Sequence, residues 1–277
     1  MYELLALDLD GTVLKSDRSI SPFLIEQIRQ LSETTPVMIV TGRHHTAARP
    51  YYQQLGLKTP IICCNGAYLY DYQTEQVLQH NALSTDVAKQ FITLAEQHDV
   101  TAVMYVTQAM LHSKHRPLPY VEALSDWANS LPELNRPQIY KVDSLFDEVE
   151  QHPHVWKFVL EGQEVEHFAQ LPFVKQYFNG EYSWANRMDF AGIGNTKGAA
   201  LTEYLKTQGI EADRVVAVGD HHNDISMLTL AGMGVAMLNA DDAIQHIADR
   251  VTSGTNDDDM ALASLIGELF FVQGEGR

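Results

Sequence analysis

Two carboxylates stand two residues apart in Asp8-Leu9-Asp10-Gly11-Thr12, directly after the apolar run Leu4 to Leu7. On an extended chain, residues i and i+2 project to the same side, so Asp8 and Asp10 converge. Converging carboxylates repel unless a cation lies between them, and Mg²⁺ is the hard, oxygen-seeking ion that suits such a pair. Three other stretches carry complementary groups: Thr41-Gly42-Arg43, Lys197, and Asp220-His221-His222-Asn223-Asp224. Each has a plain reading alone, as a turn, a solvated lysine or a helix cap. Together they supply the parts of a phosphoryl-transfer site: a carboxylate nucleophile, a metal bridging it to phosphate, and donors for the phosphate oxygens. A second carboxyl group would move the proton. By residue type alone, either Asp8 or Asp10 qualifies as the attacking group.

These groups all sit where a buried strand should stop or a helix should start. Leu4 to Leu7, Pro36 to Val40, Pro60 to Cys64 and Arg214 to Gly219 are short, nearly continuous apolar runs ending in small or polar residues. Such runs suit strands covered on both faces. Helical spacing separates them: Ser21-Pro22 reads as a helix start, followed by Leu24, Ile25, Ile28 and Leu31 on one face. Ala199 to Gln208, stopped by Gly209, reads as a helix, which places Lys197 at its first turn beside N–H groups that favour anions. This alternation predicts an α/β fold with a doubly wound parallel sheet of Rossmann type. The beat changes after a hairpin at Tyr68–Tyr72 and Gln76–His80. Helices near 84–98, 118–131 and 163–171 then mix with strands near 101–107, 109–113 and 154–160, which predicts an inserted α+β cap. The expected division is a core of residues 1–82 and 185–277 around a cap of residues 83–184. Gly274 to Arg277 read as a frayed end.

Composition narrows the partners. A formal net charge of −17 over 277 residues argues against nucleic acid and anionic membrane, so an anionic substrate needs local positive charge from a metal and a few placed basic groups. Hydrophobic content of 45% with 20% charged residues describes a globular chain. The two cysteines, Cys63 and Cys64, are adjacent and would point to opposite faces of a strand, so they read as buried thiols in a reducing compartment. Neither a signal peptide nor an apolar run of spanning length is evident, and the expectation is a cytoplasmic protein acting on a small phosphorylated metabolite. The histidine pairs His112/His115 and His152/His154 lack a third ligand and read as surface or substrate-lining groups.

Asp8-Leu9-Asp10-Gly11-Thr12, Thr41-Gly42-Arg43, Lys197-Gly198 and Gly219-Asp220-xx-Asn223-Asp224 resemble the four motifs of the haloacid dehalogenase-like phosphatases. The insertion of about a hundred residues between the second and third motifs is similar to the Cof-type branch with its α+β cap. A finer resemblance, to the pyridoxal phosphate phosphatases of that branch, lies in Thr41 to His45, Cys63 to Gly66, Leu69 to Tyr72, Val155 to Phe158 and Gly234 to Met237. The resemblance implies Asp8 as nucleophile and Mg²⁺ ligand, and Asp10 as general acid/base with its backbone carbonyl on the metal. It implies Asp220 as a further metal ligand and Asp224 as a contact through water or to Lys197. Thr41, the N–H groups of Leu9 and Gly42, Lys197 and Asn223 would hold the phosphate. The cap would act as a lid, with Tyr105, His112, His115, Trp156 and Lys157 as aromatic and basic candidates for substrate contact. His221 and His222 read as solvent-facing, and Arg43 as a brace for its loop. Sugar phosphates are the alternative substrates. A phospho-accepting signalling module is the alternative of another class, though such modules are about half this length and carry no such insertion.

Overall fold

The computed structural model of the chain describes residues 2–116, 118–184 and 186–271; the tail expected to fray lies outside them. In chain order the elements are β1 (Leu4–Leu7), α1 (Pro22–Ser32), β2 (Val37–Ile39), α2 (His45–Leu55), β3 (Ile61–Cys63), β4 (Tyr68–Asp71), β5 (Gln76–His80), α3 (Thr85–Gln97), β6 (Thr101–Val106), β7 (Met110–Ser113), α4 (Pro119–Ser130) and β8 (Ile139–Val142). They continue with α5 (Leu145–Glu148), β9 (Val155–Glu161), α6 (Val165–Ala169), α7 (Pro172–Tyr177), β10 (Phe178–Trp184), β11 (Arg187–Gly192), α8 (Lys197–Gln208), β12 (Val215–Gly219), α9 (Ile225–Leu230), β13 (Met233–Ala236), α10 (Asp242–Ile247), β14 (Arg250–Val251) and α11 (Ala261–Ile266).

The chain forms two compact units. The first holds the residues up to Gly42, Pro50–Leu78 and those from Thr196 onward; the second holds Arg43–Arg49 and Gln79–Asn195. In the first unit, five parallel strands lie in the order β14-β13-β12-β1-β2. A bridge between Val40 and Ile62 then leads to a second sheet, β3-β4-β5. Leu4 and Ala6 share one apolar cluster with Leu201, Leu205, Met227 and Ile244, so α8, α9 and α10 cover that face. Leu5 and Leu7 project the other way and are equally buried, while α1 packs on β2 and α11. Covering on both faces is why these strands read as unbroken apolar runs. Parallel pairing has a further consequence: the carboxyl ends of β2, β1 and β12 lie along one edge, and Thr41, Asp8 and Asp220 follow them there.

Local chemistry sets the helix ends. Pro22 opens α1, whose buried residues Leu24, Ile28 and Leu31 follow the helical repeat. Thr196 caps α8 by accepting the N–H of Ala199 at 3.1 Å, and Gly209, at φ 67°, ends it.

The second unit is a six-stranded sheet in the order β10-β11-β9-β6-β7-β8, antiparallel except for β7 and β8. One face packs Phe91, Phe158, Phe168, Phe178 and Phe190 into a cluster, with Phe91 stacked on Phe158 at 4.4 Å between centroids. The division expected at residues 184 and 185 falls within the β10–β11 hairpin, and the contacts divide the chain after Asn195 instead. Strand β11 pairs with both β9 and β10, so its backbone belongs to the second unit's sheet. Its sequence carries the signal: Met188 and Phe190 point into the aromatic cluster while Asp189 alternates away. A further division falls between Leu78 and Gln79, and Leu83 bridges to Val155 within the second unit.

Phe91 touches four other aromatic rings. Phe91→Ala should therefore cost about 3–5 kcal/mol. The expected result is a lower denaturant midpoint for the transition that reports the second unit; an unchanged midpoint would contradict this packing.

Candidate active site

The ammonium of Lys197, fully buried at the start of α8, lies between two carboxylates. It donates to Asp8 Oδ1 at 2.6 Å and to Asp224 Oδ1 at 2.5 Å. Its helix is pressed against the next one: the N–H of Gly198 donates to Ser226 Oγ at 3.0 Å, and a Cβ on Gly198 would meet the Ser226 carbonyl group. No larger residue fits there without moving Lys197. Asp224 is held from its other side, where Oδ2 accepts the N–H groups of Asp220 at 3.0 Å and His221 at 2.9 Å. The loop after β12 is thus folded around a carboxylate that faces the lysine.

Asp220 is held by the first motif. Thr12 donates its hydroxyl to Asp220 Oδ1 at 3.0 Å, and Asn239 donates Nδ2 to Oδ2 at 3.3 Å. The same Nδ2 donates to the carbonyl of Gly11 at 2.9 Å. Gly11 has φ +78°, and a Cβ there would lie 2.8 Å from Asp220 Oδ1, so this turn needs glycine on two counts.

The electrostatics show a shortage of positive charge. Burial, opposed by Lys197 but reinforced by Asp224, Asp220 and Asp10, holds the Asp8 carboxyl well above the usual carboxylate range. Burial and then Asp224 push Asp220 up to about 7, against the hydrogen bond from Thr12. Burial alone would depress the Lys197 ammonium, but Asp224 and Asp8 outweigh it and hold it above the ordinary lysine value. One ammonium cannot neutralise Asp8, Asp10, Asp220 and Asp224 together, and this excess adds to burial in raising Asp8 despite its cationic partner. Carboxylate oxygens of Asp8, Asp220 and Asp224 lie within 4.8 Å of one another, the sole such group found among the described residues. Hard oxygen donors with excess negative charge fit Mg²⁺. Asp224 already accepts from the lysine and two amides, which leaves Asp8 and Asp220 as the better-placed donors.

The other expected residues of the first unit follow β1, β2 and β12 at the same edge of the sheet. Asp10 is exposed, and its charge acts on both Asp8 and Asp220. Leu9 is fully buried, and its carbonyl accepts from the N–H groups of Thr12 and Leu14. Thr41 is fully buried; its backbone accepts from the N–H of Asn65 at 3.1 Å, and Gly42 approaches the Asn65 side chain. Asn223 donates to Asn65 Oδ1 at 3.1 Å. His221 and His222 are exposed, as expected. Arg43 belongs to the second unit, with its guanidinium 5.3 Å from the centre of the Trp127 ring.

Of the candidates for substrate contact, Tyr105, His112, Trp156 and Lys157 are buried, and His115 alone is exposed. Lys157 pairs with Asp189 and lies over the Tyr105 ring, and Trp156 stacks on His154. Asn239, Thr12 as a support for Asp220, and Asn65 as a partner of Asn223 had no role assigned by motif. Asn65-Gly66 at the end of an apolar run was a readable turn signal, whereas Asn239 acts across 19 residues and left none.

Similarity to known proteins agrees with this geometry. A sequence profile described as haloacid dehalogenase-like hydrolase matches residues 5–264. The chain is 41% identical to pyridoxal phosphate phosphatase YbhA of Escherichia coli (strain K12), over 93% of this chain and 95% of that protein. It is 30% identical to the HMP-PP phosphatase of Serratia proteamaculans (strain 568), over 87% and 85% of the two chains. A solved haloacid dehalogenase-like hydrolase from Bacteroides thetaiotaomicron shares the fold with a TM-score of 0.83 at 24% identity, covering 98% of this chain and all of that one.

The raised Asp220 carboxyl gives a signed expectation. Its contribution to metal-free stability is complete below the ordinary value of 3.8 and is lost as pH rises through about 7. Mg²⁺ should relieve that loss, so the rise in Tm on adding Mg²⁺ should be larger at pH 8 than at pH 5; an equal or smaller rise at pH 8 would contradict it. Asp224→Ala removes one side of a fully buried ion pair. It should cost about 3–5 kcal/mol by chemical denaturation, and a loss under about 1 kcal/mol would show that the pair does not anchor the site.

Proposed function

This chain belongs to the haloacid dehalogenase-like hydrolases and is an enzyme of the phosphatase class, and on that footing we propose that it is a Mg²⁺-dependent phosphomonoesterase working through an aspartyl phosphate on Asp8. The observation that carries the proposal is Lys197, buried and bridging Asp8 to Asp224 beside Asp220. Asp8 is the buried, lysine-held carboxylate, and Asp10 is the exposed one. That contrast favours Asp8 as nucleophile and Asp10 as the group that exchanges protons with solvent and substrate.

In the first step an oxygen of Asp8 forms a bond to phosphorus while the ester P–O bond breaks. The departing alkoxide takes a proton from the carboxyl group of Asp10. In the second step Asp10 removes a proton from water, whose oxygen attacks phosphorus and releases orthophosphate with Asp8 regenerated. Lys197 offsets negative charge beside Asp8 throughout, and Thr41, Asn223 and the N–H groups of Leu9 and Gly42 hold the phosphate oxygens. Mg²⁺, held by Asp8, Asp220 and the Asp10 carbonyl, would supply positive charge to those oxygens when bound.

For the substrate we put forward pyridoxal 5′-phosphate, on the strength of the 41% identity with the Escherichia coli enzyme named for it. The second unit takes the part of a substrate-selecting cap in this reading, since a small phosphomonoester offers little to recognise beyond its phosphate. Buried Cys63 and Cys64 accord with a reducing, cytoplasmic setting.

With Mg²⁺ and a panel of phosphomonoesters, pyridoxal 5′-phosphate should rank at or near the top by kcat/KM. Asp8→Asn should lower kcat on the order of 10³-fold or more. Asp10→Asn should lose about 10²- to 10⁴-fold while retaining a phosphoryl group detectable by mass on the protein. Preference for sugar phosphates would remove the substrate assignment and keep the chemistry. Full activity in Asp8→Asn would remove the mechanism.

A further inference from the structure

Outside the four motifs, the chain makes an unusual turn after β3. Cys64, Asn65 and Gly66 are three consecutive residues at positive φ, 51°, 57° and 91°. Left-handed backbone disfavours side chains with a Cβ, and successive residues of this kind persist only where surrounding structure enforces them. Asn tolerates the conformation; Cys ordinarily avoids it.

The enforcing contacts lead to three separate parts of the site. The N–H of Asn65 donates to the carbonyl of Thr41 at 3.1 Å. A Cβ on Gly42 would stand 2.8 Å from Asn65 Oδ1, so the side chain is packed against that residue's backbone. Asn65 Oδ1 also accepts Nδ2 of Asn223 at 3.1 Å. Gly66 lies against the carbonyl group of Thr196, the cap of the helix that carries Lys197. Asn65 itself is 3% exposed and all of these residues belong to the first unit.

Asn223 can present either end of its amide, and the two ends differ: the nitrogen donates twice, whereas the oxygen only accepts. With Asn65 Oδ1 opposite, the oxygen end would set acceptor against acceptor. The nitrogen end is the one engaged, and Asn223 Oδ1 is left buried without a hydrogen-bond partner. With the Asn65 oxygen toward it, Asn223 bonds through its nitrogen end.

Resting on the phosphate-binding role proposed for Asn223, we infer that Asn65 is a positioning residue for phosphate: its left-handed turn locks the Asn223 amide with nitrogen forward and ties that amide to the Thr41-Gly42 loop. One N–H of Asn223 is spent on Asn65, and the second is turned to a phosphate oxygen. The turn thereby gives Asn223 a donor's role at the site.

A double-mutant cycle on the full chain with Mg²⁺ tests this, using orthophosphate binding by calorimetry together with KM and kcat. Asn65→Gly keeps a residue that tolerates positive φ while deleting the amide. It should weaken orthophosphate binding and raise KM about tenfold with kcat little changed. In an Asn223→Ala background the same substitution should change binding by less than about twofold, because its effect passes through Asn223. An equal weakening in both backgrounds, or none in either, overturns the inference. Should Asn65→Gly fail to fold, Asn65→Ser carries the same cycle. Because binding is read directly, a chain that shows the expected cycle in orthophosphate binding without turning over esters would count against the proposed reaction and still support the role of Asn65.

Discussion

The ammonium of Lys197 is the interaction on which the first unit's arrangement depends. It lies in a fully buried position between Asp8, at the end of β1, and Asp224, in the loop after β12. Removing it from water costs several kcal/mol unless its partners are close and correctly oriented. Both conditions are built into the chain. Gly198 lets α8 close on Ser226, which brings the lysine in, and two backbone amides hold Asp224 so that its other oxygen meets it. Three segments distant in sequence are thereby referred to one charged atom.

Charge balance at that atom also bears on the fit of the site to a divalent ion. Four carboxylates share one lysine, and burial raises both Asp8 and Asp220 above their ordinary range. A protein can relieve such a cluster by taking up protons or by binding a cation. The first route leaves carboxyl groups that cannot act as nucleophile or ligand at neutral pH, so the reaction proposed above requires the second. The orienting bonds from Thr12 and Asn239 to Asp220 fix the donor oxygens in advance, which lowers the ordering cost of binding.

The second unit is organised on another principle. One face of its sheet is an aromatic core. The opposite face carries polar groups that satisfy one another: Lys157 with Asp189, Tyr105 with Tyr120 at 2.6 Å between hydroxyl oxygens, and Arg187 over the Tyr120 ring. Trp156 and Lys157, expected to contact substrate, are both buried, Lys157 beside Asp189 and Tyr105 and Trp156 beside His154. Aromatic and basic residues on a strand read alike whether they meet a ligand or one another, because the pattern records which face they occupy and not what lies opposite.

How much was legible follows from the range of each interaction. The apolar run ending in Asp8, the Pro22 helix start and Gly209 as a stop are local signals, and the structure has an element at each. The parallel core was readable because strands buried on both faces cannot alternate. Asp8, Lys197, Asp220 and Asp224 were marked by the resemblance of whole motifs. Strand β11 joins the second unit's sheet by pairing with β9 from beyond α6, α7 and β10, Met188 beside Leu160 for example, a long-range partnership that its short Arg-Met-Asp-Phe pattern does not announce. Asn65 and Asn239 were missed because their importance lies in what they touch. The sequence by itself determined the strand and helix types, the excess of acid and the residue kinds available for chemistry, since these depend on neighbours in the chain. Only the tertiary structure decided which carboxylate meets the lysine, which is left to solvent and which asparagine orients another. Those outcomes depend on the few ångströms between loops that parallel pairing brings to one edge of a sheet.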